Sequence, residues 1–73
     1  LPTMNKEELL RLEAYLKEKL NGGLRLLPRD KANDSAEVYL GAEFLAVVYK
    51  DEEEGETSYQ FMMTVLKEDI MGG

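Results

Sequence analysis

The stretch AEVYLGAEFLAVVYKDEEEGETSYQFMMTVL, residues 36–66, decides the fold of this chain. Apolar and polar residues alternate along it in three runs, which is typical of half-buried β-strands. The first two runs meet at Gly41-Ala42, where Gly at the first central position suits a type II′ turn. The third run returns from an acidic turn, residues 51–56. We therefore expect an antiparallel meander of three strands.

The two-residue turn predicts the register of the first hairpin. It sets Leu40 opposite Glu43 and Val38 opposite Leu45, and successive side chains then alternate between the two faces of the sheet. The better apolar face is predicted to carry Ala36, Val38, Leu40, Leu45, Val47 and Tyr49. The opposite face is predicted to carry Glu37, Tyr39, Phe44, Ala46 and Val48.

The register of the next hairpin follows from the need to keep Phe61 on the better apolar face, since a slip of one residue reverses every side chain. A three-residue loop, residues 53–55, achieves this by placing Phe61 opposite Val47. Gly55 then takes the positive-φ position of a bulged hairpin. A four-residue loop would set Gln60 opposite Val47 and is disfavoured.

The segment before the sheet predicts one amphipathic helix over residues 6–21. Asn5 is placed as its N-cap, and Glu8 as the reciprocal member of a capping pair. Gly22-Gly23 ends it, because Gly accepts the left-handed conformation after a helix. The apolar stripe that would face the sheet consists of Leu9, Leu12, Leu16 and Leu20.

The remaining segments are short. Residues 24–28 predict a strand that ends at Pro28, residues 29–35 predict a polar loop, and residues 67–73 predict a tail. Together these elements predict an α+β fold, in which one N-terminal helix packs on a small antiparallel meander of three to four strands. Residues 1–73 fit a single domain, with Met4 as the expected native start.

The composition restricts how such a small domain is stabilised. The chain has 73 residues and contains no Cys and no His. Disulfides are therefore excluded, and the commonest zinc ligands and the commonest general base are absent. Domains of this size usually need a further source of stability, and a second copy of the chain remains available.

The net charge of −6 is concentrated in the second half, where residues 36–73 carry two basic and nine acidic side chains. A negative surface repels phosphates, so we expect binding neither to nucleic acid nor to anionic membranes. No segment has the length of a membrane span or the pattern of a signal peptide. A cytoplasmic location is the expectation.

No arrangement of residues predicts catalysis or a cofactor. The five carboxylates of the acidic turn lack the spacing of an EF-hand, and side chains in a hairpin turn spread into water. No Ser or Thr has a His partner, and no Gly-rich stretch has phosphate-loop spacing. We expect no catalytic residues, no metal site and no cofactor.

The chain resembles a small uncharacterised family of alphaproteobacterial proteins known as a domain of unknown function. The resemblance covers about residues 9–66 and is carried by Pro28-Arg29, by residues 34–41 and by Gly55-Glu56 with Ser58-Tyr59. It implies a bacterial cytoplasmic protein and assigns no functional residues.

The assembly follows from the sheet face that one helix leaves uncovered. Large apolar patches are rare on soluble monomers, so we expect a homodimer formed through this face. The candidate interface residues are Tyr39, Phe44, Ala46, Val48 and Met62. The monomeric alternative has the tail or the polar loop folded over the same face.

Two function classes remain open. One is a non-catalytic protein-interaction module that also holds an unidentified protein partner. The other is a small regulatory ligand-binding protein with a pocket at the subunit interface.

Overall fold

The computed structural model describes residues 3–72 and contains an N-terminal helix followed by a four-stranded antiparallel sheet. The strands follow one another in the order β1-β2-β3-β4, so the sheet is a simple meander. The predicted α+β class is confirmed. The elements are α1 (Lys6–Lys19), β1 (Leu24–Arg29), β2 (Ala32–Leu40), β3 (Glu43–Glu53), β4 (Glu56–Met62) and α2 (Lys67–Ile70).

Helix α1 begins at the predicted cap. The Asn5 side chain accepts the Glu8 amide at 2.7 Å, and the Asn5 amide donates to the Glu8 carboxylate at 3.3 Å. The helix ends at Lys19, two residues before the predicted end, and Leu20 is its C-cap. The Asn21 side chain then accepts the amide of Gly23 at 2.8 Å, which turns the chain toward β1.

The prediction of a polar loop at residues 29–35 is wrong, because β2 already begins at Ala32. The pairing of β1 with β2 shifts after Pro28, and Ser35 pairs on its other side with Tyr49 of β3. The Ser35 hydroxyl accepts from Arg29 at 3.3 Å and donates to the Ala32 carbonyl at 3.4 Å. These polar residues are therefore bonded within the sheet and are not free in a loop.

The first predicted hairpin register holds next to the turn and fails beyond it. Leu40 pairs with Glu43 as predicted, but Val38 pairs with Ala46 and not with Leu45. Leu45 is the extra residue of a β-bulge, and such a residue reverses the faces of all side chains that follow it.

The bulge reverses the predicted faces along most of β3. Ala46 and Val48 lie on the face covered by α1, where they are 2% and 1% exposed. Val48 pairs with Ala36, whereas the predicted hairpin register would have set Val47 opposite Ala36. Val47 instead lies on the opposite face, across from Glu37.

The last hairpin has a two-residue turn at Glu54 and Gly55, with φ angles of 51° and 81°. Positive φ at both positions defines a type I′ turn, which matches the twist of the flanking strands. Phe61 consequently pairs with Val48, and the predicted pairing with Val47 is wrong. Phe61 still packs against the core, because the bulge and the shorter turn offset each other.

The core lies between α1 and one face of the sheet. Its buried side chains are Leu16, Leu24, Leu26, Ala36, Val38, Ala46 and Val48. Of the predicted helix stripe, Leu9 and Leu12 pack against this core, while Leu20 is 60% exposed. After β4 the chain leaves the sheet, and Ile70 and Met71 are 71% and 67% exposed. The predictions for Leu1, Pro2 and Gly73 lie outside the described residues.

Candidate interaction surfaces

The sheet face that α1 does not cover, here called the open face, carries exposed apolar side chains in two neighbouring rows. In the first row the rings of Tyr39 and Phe44 meet edge to face, with their centroids 5.7 Å apart. The second row runs through Leu27, Glu37, Val47 and Met62, which pair across all four strands. The apolar members of these rows and Tyr49, which lies two residues beyond Val47 on the same face, are here called the open-face cluster. It consists of Leu27, Tyr39, Phe44, Val47, Tyr49 and Met62.

Three of the five predicted interface residues belong to this cluster. Phe44 and Met62 are 52% and 61% exposed, and Tyr39 is half-buried beside Phe44. Ala46 and Val48 do not lie on the open face, because the bulge at Leu45 turns them into the core. Whether the other three residues form an interface stays a prediction.

Sequence reasoning missed Leu27, Val47 and Tyr49. The signal that could have found Val47 and Tyr49 is Gly55, since Gly at the second central position suits a two-residue type I′ turn. A two-residue turn sets Val47 opposite Met62, so the two residues share one face of the sheet. Tyr49, two residues beyond Val47 on β3, lies on the same face. The register would then have required a bulge in β3.

Charged groups flank the open-face cluster. The Tyr39 hydroxyl donates to the Glu37 carboxylate at 3.2 Å, and the negative charge of Glu37 raises the pKa of Tyr39. The Arg25 guanidinium donates to the Gly41 carbonyl at 3.3 Å. The surface therefore combines an apolar centre with one anion and one cation beside it.

A groove of about 430 Å³ lies on the covered side, between α1 and β4. It exists because α1 packs mainly over β1 and leaves the sheet near β4 uncovered. Its walls are largely apolar, with a carboxylate and a phenol at one end. The lining residues are Glu8, Arg11, Leu12, Tyr15, Leu16, Val48, Tyr59 and Phe61.

Glu8, Lys50 and Tyr59 form a compact polar cluster at the end of this groove. The Lys50 ammonium lies 2.7 Å from the Glu8 carboxylate and donates to the Thr3 carbonyl at 2.8 Å. The Tyr59 hydroxyl donates to the same Glu8 oxygen. The side chains of Lys50 and Glu8 are 12% and 17% exposed, so the ion pair is largely shielded from water.

These contacts shift the titration of the cluster. Hydrogen bonds from Lys50 and Tyr59 to the charged carboxylate lower the pKa of Glu8. The hydrogen bond to Glu8, with desolvation, raises the pKa of Tyr59 to about 12. Tyr59 therefore stays protonated and Glu8 stays ionised at neutral pH. The arrangement ties the start of α1 to β3 and β4.

The acidic turn is distributed over β3, the turn and β4, and its side chains are mostly exposed. Within residues 3–72, no three carboxylates are grouped so that they could hold a metal ion. Neither helix in this part of the chain is long and apolar enough to cross a membrane.

Residues 8–69 match the model of a family described as a protein of unknown function (DUF3126). The chain belongs to this family, as the resemblance to a domain of unknown function predicted. Neither a curated protein nor a solved structure matches the chain.

Proposed function

We propose that this member of the DUF3126 family is a non-catalytic protein-interaction module of the bacterial cytoplasm that homodimerises through its open face. The observation that carries the proposal is the open-face cluster, whose exposed and half-buried apolar side chains extend across all four strands. Isolated exposed apolar residues are common on monomers, whereas contiguous apolar patches mark interaction sites.

Burial of this cluster would contribute substantially to the stability of so small a domain. Each 100 Å² of apolar surface removed from water stabilises by about 2.5 kcal/mol before the costs of association. Total stabilities of small domains are about 5 kcal/mol, and cores below 80 residues rarely supply more. A second copy packed on the open face is therefore a large stabilising contribution.

The charges beside the cluster favour two copies of this chain as partners. Arg25 and Glu37 lie on the same face, in neighbouring rows on adjacent strands. A two-fold axis through the cluster can bring the cation of one copy toward the anion of the other, twice. Such complementarity supports the orientation of a contact more than its affinity.

Sedimentation of the purified protein at tens of micromolar tests the proposal. Phe44→Glu places a charge within the open-face cluster and is expected to lower the mass of the assembly. Phe44 is already half exposed, so the variant should keep its fold, which circular dichroism checks. Glu53→Lys, on the exposed end of β3, is the control and should leave the mass unchanged. An unaltered mass for Phe44→Glu, or a wild type of one chain mass, contradicts the proposal.

The groove between α1 and β4 favours a second candidate function, a small regulatory ligand-binding protein. Its volume and apolar walls suit an apolar metabolite with one polar end. Thermal-shift measurements against such metabolites test it, because only a ligand that binds the folded state raises the melting temperature. Tyr15→Ala, at the exposed wall of the groove, should remove that increase.

A further inference from the structure

The two edges of the sheet differ in how their outward backbone amides are satisfied. On β1, the Leu24 amide donates to the Asn21 carbonyl at 3.2 Å and the Leu26 amide donates to the Glu13 carboxylate at 2.9 Å. The next outward position is Pro28, which has no amide hydrogen. The β1 edge is therefore closed to pairing by a further strand.

The β4 edge has no such protection. The two-residue turn pairs the first residue of β4 directly with the last of β3, and hydrogen-bonded pairs then alternate along the ladder. This alternation points the amides of Thr57, Tyr59 and Phe61 away from β3. Within residues 3–72, none of these three amides donates to a side chain or to a backbone carbonyl outside the ladder.

The strand pattern continues beyond the end of β4. Residues 57–66 contain neither a charge nor a proline, and these are the features that usually protect an exposed edge. Met63 and Val65 continue the alternation of Tyr59 and Phe61, but they are 50% and 53% exposed. The β3–β4 ladder ends at Met62, next to the bulge in β3, so these residues have no partner strand in their own sheet.

We propose that β4 and the residues after it pair antiparallel with the same segment of a second copy, about a two-fold axis at Phe61. Tyr59 then lies opposite Met63 of the second copy, and Thr57 lies opposite its Val65. The outward amides of both chains gain carbonyl acceptors, and the two meanders form one continuous eight-stranded sheet. Met62 is the one member of the open-face cluster that lies in this paired run, and the pairing does not depend on the proposed face-to-face contact.

A second copy of this chain suits the edge better than an unrelated strand. Both chains carry a net charge of −6, yet the paired run from Thr57 to Val65 brings no charged residues into register. The same pairing places Met63 of the second copy beside Tyr59, at the outer wall of the groove. The groove, which is open to solvent in a single chain, would thus be enclosed by residues of both chains.

Residue-resolved hydrogen exchange at several protein concentrations tests the pairing. Exchange of the Thr57, Tyr59 and Phe61 amides is expected to slow by at least about tenfold from the lowest to the highest concentration, because the shared ladder must open first. Packing through the open face alone leaves these amides without acceptors and hence fast. Fast exchange at every concentration would show that the edge stays unpaired and would overturn the proposal.

A pair of matched variants locates the contact. Met63→Glu puts a carboxylate beside the ion pair of the second copy and should abolish the concentration dependence. Met71→Glu makes the same change outside the paired run, at a residue of similar exposure, and should preserve it. Equal effects of the two variants would overturn the proposed register. Phe44→Glu should leave the protection in place, so failure of the face contact is distinguishable from failure of the edge contact.

Discussion

The Glu8 carboxylate joins the helix cap to the sheet. One oxygen accepts the Asn5 amide, and the other accepts from Lys50 and Tyr59. Capping and cross-element bonding therefore depend on a single side chain. Its sequence position predicts only the capping, because Lys50 and Tyr59 are distant in the sequence and meet Glu8 through the register of two hairpins.

Substitution of this carboxylate separates its two roles. Glu8→Gln keeps an acceptor for the cap, since Gln serves in capping boxes, but it removes the negative charge paired with Lys50. We expect the free energy of unfolding to fall by about 1–2 kcal/mol. Glu7→Gln is the control: its pair with Arg11 is mostly exposed, and the loss should stay below about 0.5 kcal/mol. Urea denaturation measures both, and equal losses would contradict the assigned role of Glu8.

The same cluster predicts how stability depends on pH. The folded pKa of Glu8 is lowered, so its contribution is present above the unfolded pKa and is lost as pH falls through the folded value. The folded pKa of Tyr59 is raised to about 12, so its contribution is present below the unfolded pKa and is lost as pH rises from about 10. Melting temperatures across pH should therefore fall at both extremes. Tyr59→Phe should flatten the alkaline decrease, and an unchanged decrease would contradict the assignment.

At the scale of elements, local sequence patterns correctly predicted helix α1 and the two residue pairs of β2 and β3 that lie next to the Gly41-Ala42 turn. The face assignment of β3 did not, because Leu45, Ala46, Val47 and Val48 are all apolar and suit either face. The bulge is selected by packing of the whole sheet under α1, which alternation along one strand cannot reveal. The same ambiguity explains why two predicted interface residues belong to the core.

The turn between β3 and β4 depends on the conformational freedom of one glycine. Gly55 has φ of 81°, and a methyl group there would meet no neighbouring atom, so the cost of Gly55→Ala is backbone strain alone. We expect a loss of about 1 kcal/mol in the free energy of unfolding. Gly22→Ala meets no neighbour either and has no positive φ, so its effect should be close to zero. Similar effects for the two variants in urea denaturation would contradict the type I′ turn.

At the scale of the whole molecule, the sequence predicted the class of fold and the presence of an uncovered apolar face. Both follow from the number of elements, since one helix cannot cover both faces of a sheet. The groove was not predicted, because it depends on α1 packing toward β1, and the Glu13 carboxylate that bonds the β1 edge contributes to that position. Sequence spacing gives no information on where a helix lies across a sheet.

The hydrogen bond between Tyr59 and Glu8, which spans 51 positions of the chain, also has a kinetic consequence. The meander pairs only strands that are neighbours in sequence, so its hairpins can form early, whereas closure of a long loop carries a greater entropy cost. We expect the helix cap to dock after the transition state for folding. Tyr59→Phe should therefore accelerate unfolding and leave the refolding rate nearly unchanged, as stopped-flow measurements can show. Gly55→Ala, within a local turn, should instead slow refolding, and a slowed refolding of Tyr59→Phe would place the docking step before the barrier.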